Sequence, residues 1–358
     1  MNGETGLLPD IEIEQFIAKN IIRASTKIEK SQIQPSSLDL RLGDVAYRIR
    51  ASFLPGKNFS VAEKLEHIKL HSLDLSKGAV LETNCVYIVP LQERLELPSN
   101  ISALGNPKSS TGRLDIFTRL ISDYSQKFDV IEKNYKGALY LEISPHTFPI
   151  IVHAGSKLSQ LRFRKNDVKP LSASELAKMQ QKYNRYYHTS NNEVMLSVDL
   201  TGNKDGLIGY KAKKHTNVID VNKLAFYPIN DFWEPIHKDK NYAELILDPQ
   251  QFYILASYEN VFIPSEVAAE MVAFDPLVGE FRAHYAGFFD PGFGTGAEIN
   301  SKAVLEVRSF DIPFILEHKQ IIGKLIFEPM CSKPRHVYGS QKGSNYQAQQ
   351  LKLSKHFY

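Results

Sequence analysis

Tyr87–Ile101 reads Y-I-V-P-L-Q-E-R-L-E-L-P-S-N-I, and Tyr253–Val267, 166 residues further on, reads Y-I-L-A-S-Y-E-N-V-F-I-P-S-E-V. Downstream, A-L-Y-L-E-I at Ala138–Ile143, then Pro149, then Q-L-R-F at Gln160–Phe163, match K-A-V-L-E-V at Lys302–Val307, Pro313 and K-L-I-F at Lys324–Phe327 at an offset of 164. Glu142 thereby pairs with Glu306, and Phe163 with Phe327. A period this long exceeds any solenoid repeat and means a fused pair of like domains. The segments between these matches are short apolar runs broken by Pro, Gly, Asn and Asp, the spacing of an all-β barrel or sandwich. The expected fold is therefore mainly β, two tandem barrel or sandwich domains with a few short helices.

Helical signals are sparse. Asp10–Ala24 has the spacing of a short helix started by Asp10, and Ser172–Tyr183 begins with a Ser-x-x-Glu capping box. Pro35–Gly43 alternates like a strand that ends on a Gly turn. A polar connector rich in Asn, Tyr and Ser follows the second helix and sets the expected division: residues 1–168 as one domain, 169–194 as helix and connector, 195–335 as the second domain, and 336–358 as a tail.

Composition excludes several classes. The 358 residues carry 43 Lys and Arg against 40 Asp and Glu, a net charge of +3, which argues against a nucleic acid polymer as partner. Two cysteines, Cys85 and Cys331, build neither a disulfide framework nor a CxxC metal site and suit a reducing cytoplasm. The acidic start has no apolar signal region, and no apolar run is long enough for a membrane span. The eleven histidines form no H-x-E or H-E-x-x-H, and P-C-x-x-C is missing, so a zinc-dependent base deaminase is not expected.

Three stretches carry candidate chemistry. Arg282–Val307 looks like a strand, an Asp290-Pro291-Gly292 turn and a returning strand. That strand alternates Ala303, Leu305 and Val307 with Val304, Glu306 and Arg308. Glu306 is then a carboxylate on a rigid element, although a single strand Glu is ordinarily just solvated. Asn106–Arg113 clusters hydroxyls and two cations that suit a polyphosphate; by itself it is also an ordinary polar turn. Tyr338–Gln349 is Gly/Ser-rich and aromatic, either a frayed end or a lid that orders over an anionic ligand.

Taken in order, S-S-T-G-R, A-G-F-F-D-P-G-F, A-V-L-E, K-L-I-F and the Tyr338/Asn345/Gln349 tail resemble the long, duplicated 2′-deoxycytidine 5′-triphosphate deaminases of the dUTPase-like fold. The resemblance implies zinc-free deamination of dCTP to dUTP and ammonia, with Glu306 as general base and Ser109 and Arg113 assisting. It implies a phosphate loop at Lys108, Ser109, Ser110, Thr111, Gly112 and Arg113, with Lys108 in place of the usual Arg. Ala286, Asp290, Val304 and Leu305 would border the base. Tyr338, Asn345 and Gln349 would close on the triphosphate, with Asn345 standing where the family has Lys. Mg²⁺ is expected to arrive with the triphosphate, and a homo-oligomer is expected.

Each half has lost a different part. The first keeps the phosphate loop and Glu142 but reads Ser125–Val130 where D-P-G should stand, with Asp129 the one acid left. The second keeps Ala286, Asp290 and Glu306 but has Val272–Leu277 in place of the loop. A composite site follows, at most one per chain, within one chain or between two. The rival readings are a dUTP diphosphatase or bifunctional enzyme, in which Asp290 would activate water against the α-phosphate, and a non-catalytic nucleotide-binding protein.

Overall fold

The computed structural model describes residues 5–239, 243–273, 281–284, 287–296, 300–309, 311–340 and 346–358. The fold is mainly β, and the sequence repeat is a repeat of strand pairing. In the N-terminal half the principal strands are β1 (Val86–Glu96), β2 (Ile101–Pro107), β3 (Ile116–Ser122), β4 (Lys136–Pro145) and β5 (Ser159–Lys165). In the C-terminal half they are β6 (Phe252–Asn260), β7 (Val267–Ala273), β8 (Phe281–His284), β9 (Phe288–Phe289), β10 (Lys302–Ser309) and β11 (Ile321–Pro329). β4 runs antiparallel between β1 and β3, with Glu142 opposite Ile88. β10 runs the same way between β6 and β8, with Glu306 opposite Ile254. β5 sets Phe163 against Ala103 of β2, as β11 sets Phe327 against Ala269 of β7. These are the equivalences read from the sequence.

Several expectations are corrected. The first helix, α1, spans Asp10–Ala18 only, because Asn20 turns left-handed at φ 57° and Ile22–Ala24 becomes a short strand against β1. Pro35–Gly43 contains a strand of three residues, Leu38–Leu40, while Ser36 and Ser37 use their hydroxyls on Asp290 and Gln160. Arg282–Val307 is not one hairpin: β8 pairs with β10, but β9 has crossed to the other sheet and pairs with β7. The Asp290–Gly292 turn follows β9, with Gly292 at φ +96°. Among the described residues the other α-helices are α2 (Val61–Ile68), one turn at α3 (Ser109–Gly112), α4 (Ala173–Tyr183) with the expected capping box from Ser172, and a further turn at Ile229–Phe232.

Alternation on β10 decides where the site lies. Ala303, Leu305 and Val307 enter a core confined to the C-terminal half, whereas Val304 on the opposite face joins the N-terminal core. That second face would be wet in an isolated sheet; here the other half covers it. The segment before β6 also reaches across, since Ile219–Asp220 adds a parallel strand to Ile150–Val152.

The tail is neither frayed nor detached at its end. Asp10 accepts from the main-chain nitrogens of Arg335 (2.8 Å) and His336 (3.1 Å), and Tyr338 N donates to Pro291 O at 2.7 Å. At the far end Phe357 is buried among Tyr227, Phe232 and Trp233, with ring centroids 5.5–6.4 Å away. An aromatic anchor of this kind beats chain-end entropy because it removes large apolar rings from water. Phe357→Ala is expected to cost about 3 kcal/mol. A lower melting temperature together with a raised KM for the substrate would show the loss, since the same tail reaches Arg113.

Candidate active site

A cavity of about 930 Å³ opens between the halves, with Lys108, Ser109, Ser110 and Arg113 on one side and Asp290, Val304 and Glu306 on the other. Tyr338 and Gln349 of the tail also line it. Sequence left open whether the two half-sites meet in one chain; they do. A Cβ built on Gly112 would stand 2.5 Å from Glu306 Oε2, so the loop and the carboxylate are in direct contact. Glu306 is 4% exposed. Burial pushes its carboxyl well above the usual range, Arg113 opposes that shift, and Asp115 adds to it.

The loop's own groups divide between lining and support. Lys108 forms an ion pair with buried Asp39. Thr111 Oγ1 is turned away and donates to Leu158 O at 2.8 Å, and Gly112 serves by its lack of a side chain. Arg113 Nε donates to Ser109 Oγ (3.1 Å), Nη1 to Lys352 O (2.8 Å) and Nη2 to Gln349 Oε1 (2.9 Å). Its guanidinium also lies 3.8 Å from the Tyr346 ring centroid. The tail thus reads Arg113 from three residues, and Ser354 Oγ donates to Ser110 O at 2.9 Å.

On the base side, Val304 faces the cavity while the Leu305 side chain enters the C-terminal core, leaving only its backbone available. Asp290 is held by Ser36 Oγ at 2.5 Å and by the guanidinium of Arg162 at 3.6 Å, and burial raises its carboxyl. Ala286 and Asn345 lie outside the described residues, as does most of Val272–Leu277. Residues that sequence reasoning missed are Ser36, Asp39, Asp115, Arg162 and Tyr346. One signal pointed to Arg162: the repeat puts Ile326 at the equivalent position, and a charge where the copy is apolar has lost its own core for another partner.

The matching region of the N-terminal half is filled. Arg119 donates to Glu142 Oε1 at 2.6 and 2.9 Å, caps the Phe128 ring at 3.6 Å and reaches Ser52. Ile49, Val61, Leu65, Ile88 and Ile121 form a buried cluster in this half, with Phe128 and Tyr140 against it. Asp129 accepts from Leu120 N at 2.7 Å, and its carboxyl, sunk against Gly105 and Leu120, is pushed up to about 7 by burial. Glu142→Gln is expected to leave catalysis within a few-fold of wild type and to cost about 2 kcal/mol, because Arg119 loses its charged acceptor. Chemical denaturation alongside an activity assay separates the two effects.

Among the described residues no group of three or more His, Cys, Asp or Glu is arranged to hold a metal ion, and no helix is long and apolar enough to cross a membrane. Fold and cavity define a duplicated β-protein with a cross-half pocket, cationic at one end and carrying a buried carboxyl at the other. Family comparison then places it. Residues 4–167 match the 2′-deoxycytidine 5′-triphosphate deaminase (DCD) N-terminal domain, and residues 172–357 match the C-terminal domain of the same family. A 2′-deoxycytidine 5′-triphosphate deaminase crystal structure from Agrobacterium tumefaciens is 54% identical, with a TM-score of 0.89 over 93% of this chain and 100% of that one. A dUMP-forming dCTP deaminase of Methanobrevibacter smithii is 26% identical over 161 residues, 44% of this chain and 79% of the relative. A dCTP deaminase of Halorubrum lacusprofundi is 27% identical over 134 residues, 37% of this chain and 63% of the relative. The chain belongs to the 2′-deoxycytidine 5′-triphosphate deaminase family and is an enzyme that deaminates dCTP.

Proposed function

We propose that the chain converts dCTP and water to dUTP and ammonia in the pocket between its halves, without zinc, and with Glu306 as general base. The observation that carries this reading is the buried carboxyl of Glu306 in contact with the phosphate loop at Gly112. Its carboxylate takes a proton from water as the oxygen adds to C4 of the cytosine, and returns that proton to N3. The proton of the new C4 hydroxyl then passes by the same carboxylate to the amino nitrogen. The C4–N bond breaks, ammonia leaves, C4=O forms, and Glu306 ends as it began. Ser109 orients the water or the base. Lys108 and Arg113 hold the triphosphate, which brings its Mg²⁺ as part of the substrate, and the Tyr338–Gln349 tail closes beside it. Each half is read as a dUTPase-like barrel, divided at residues 168 and 195, in a homo-oligomer.

A second reading has one observation in its favour: some relatives are named as dUMP-forming. That outcome also needs water at the α-phosphate. Asp290 is the acid available for it, but its hydrogen bond to Ser36 and its pairing with Arg162 support a structural role. Incubation with dCTP or dUTP and Mg²⁺, measuring ammonia, dUTP, dUMP and pyrophosphate separately, tests both. Ammonia and dUTP in equal amounts is the expected result. Ammonia with dUMP and pyrophosphate would establish the bifunctional reaction instead, and no ammonia would overturn both.

A further inference from the structure

Asp115 and Arg308 form a buried ion pair next to Glu306 that the scheme above does not use. Asp115 is fully buried, two residues beyond Arg113, in the left-handed region at φ 56°. Its Oδ2 accepts from the Arg308 guanidinium and from Thr147 Oγ1 at 2.6 Å, and its main-chain oxygen accepts from His146 N at 3.0 Å. Arg308 sits two residues past Glu306 on the same face of β10; its Nη1 donates to Gln250 O (2.9 Å) and its Nη2 to Thr147 Oγ1 (3.0 Å). Four charges, Arg113, Glu306, Asp115 and Arg308, are therefore interleaved, two from each half.

We propose that the Asp115–Arg308 pair is a positioning device of the reaction: it clamps a second carboxylate beside Glu306 and so governs how readily Glu306 takes up and gives back the travelling proton. This rests on Glu306 being the general base. A carboxylate that must take a proton from water and then give it to N3 and to the leaving amine works best when its proton affinity is balanced: Arg113 weakens it as an acceptor, and a neighbouring negative charge that offsets Arg113 strengthens it. Asp115 supplies that charge, and Arg308 keeps it from overwhelming the site. The described groups facing Glu306 are Arg113 and Asp115 from α3 and its exit and Tyr346 from the tail, with Arg308 on its own strand; His146 faces the pair.

The test is the acidic limb of kcat/KM for dCTP deamination, followed by ammonia release, with melting temperatures measured in parallel. Asp115→Asn is expected to move the limb down by about one pH unit, since a negative neighbour is gone. Arg308→Gln is expected to move it up, since Asp115 is no longer neutralised, and Arg308→Lys to restore it toward wild type. If Arg308→Gln does not fold, adding it to Asp115→Asn is expected to bring the limb back up from the single variant's position. A limb that stays put in these variants while melting temperatures fall would reduce the pair to a seam contact and overturn the inference. Glu306→Gln is the control. An inactive control with unmoved limbs defeats this inference alone, whereas an active control defeats the general-base reading and the inference with it.

Discussion

Glu306→Gln is expected to lower kcat for dCTP deamination by roughly 10²–10⁴-fold while leaving nucleotide binding nearly intact, because it removes proton transfer and keeps shape. The wild-type pH profile supplies an independent check. Burial raises the Glu306 carboxyl well above the ordinary range, and the active form is the carboxylate, so the rate falls as pH drops through that raised value. The residual activity of Glu306→Gln is expected to lack this limb. Stability runs the other way. A carboxyl whose folded pKa is raised stabilises fully below its unfolded value, near 4.3, and loses that contribution as pH rises through the folded value. The Gln variant is therefore expected to melt above wild type at pH 8 and to converge with it near pH 4. Fully active Glu306→Gln beside inactive Glu142→Gln would place the chemistry in the other half.

Gly112→Ala adds only a methyl group and is expected to lower kcat/KM about 10²-fold. Its Cβ would lie 2.5 Å from Glu306 Oε2 and 2.8 Å from the carboxyl carbon. A flexible side chain at the surface would swing aside, but Glu306 is closed in by β6, the loop and the tail. Either the carboxylate tilts away from the base or α3 shifts and carries Arg113 with it, and displacements near 1 Å cost about this much. The φ of Gly112 is not in the left-handed region, so the effect comes from contact and not from backbone strain. If kinetics remain at wild type and a crystal structure of the variant shows no shift, the direct contact between loop and base is refuted.

Local pattern carried much of the architecture. Duplication was legible because equivalent strands need equivalent residues: Ile88 and Ile254 stand opposite Glu142 and Glu306, and Ala103 and Ala269 opposite Phe163 and Phe327. The face on which Glu306 lies followed from period-two alternation. Helix α4 was marked by its capping box. Less legible were elements whose state depends on distant partners. Ser36 and Ser37 look like strand residues until Asp290 and Gln160 claim their hydroxyls. The tail looks like a frayed end until Phe357 finds Trp233.

By itself, then, the sequence determined the two-copy β-architecture, the equivalence of the strands that carry the two glutamates, and the complementary losses that leave a loop in one half and a carboxyl in the other, because these are set by residue types a few positions apart. Only the tertiary structure decided that Glu306 is buried, that Gly112 touches it within the same chain, that Arg119 and Phe128 fill the other copy, and that Asp115 meets Arg308 across the seam. Burial and cross-half charge pairing arise when surfaces more than a hundred residues apart close on each other, and no local periodicity encodes which polar face another half will cover.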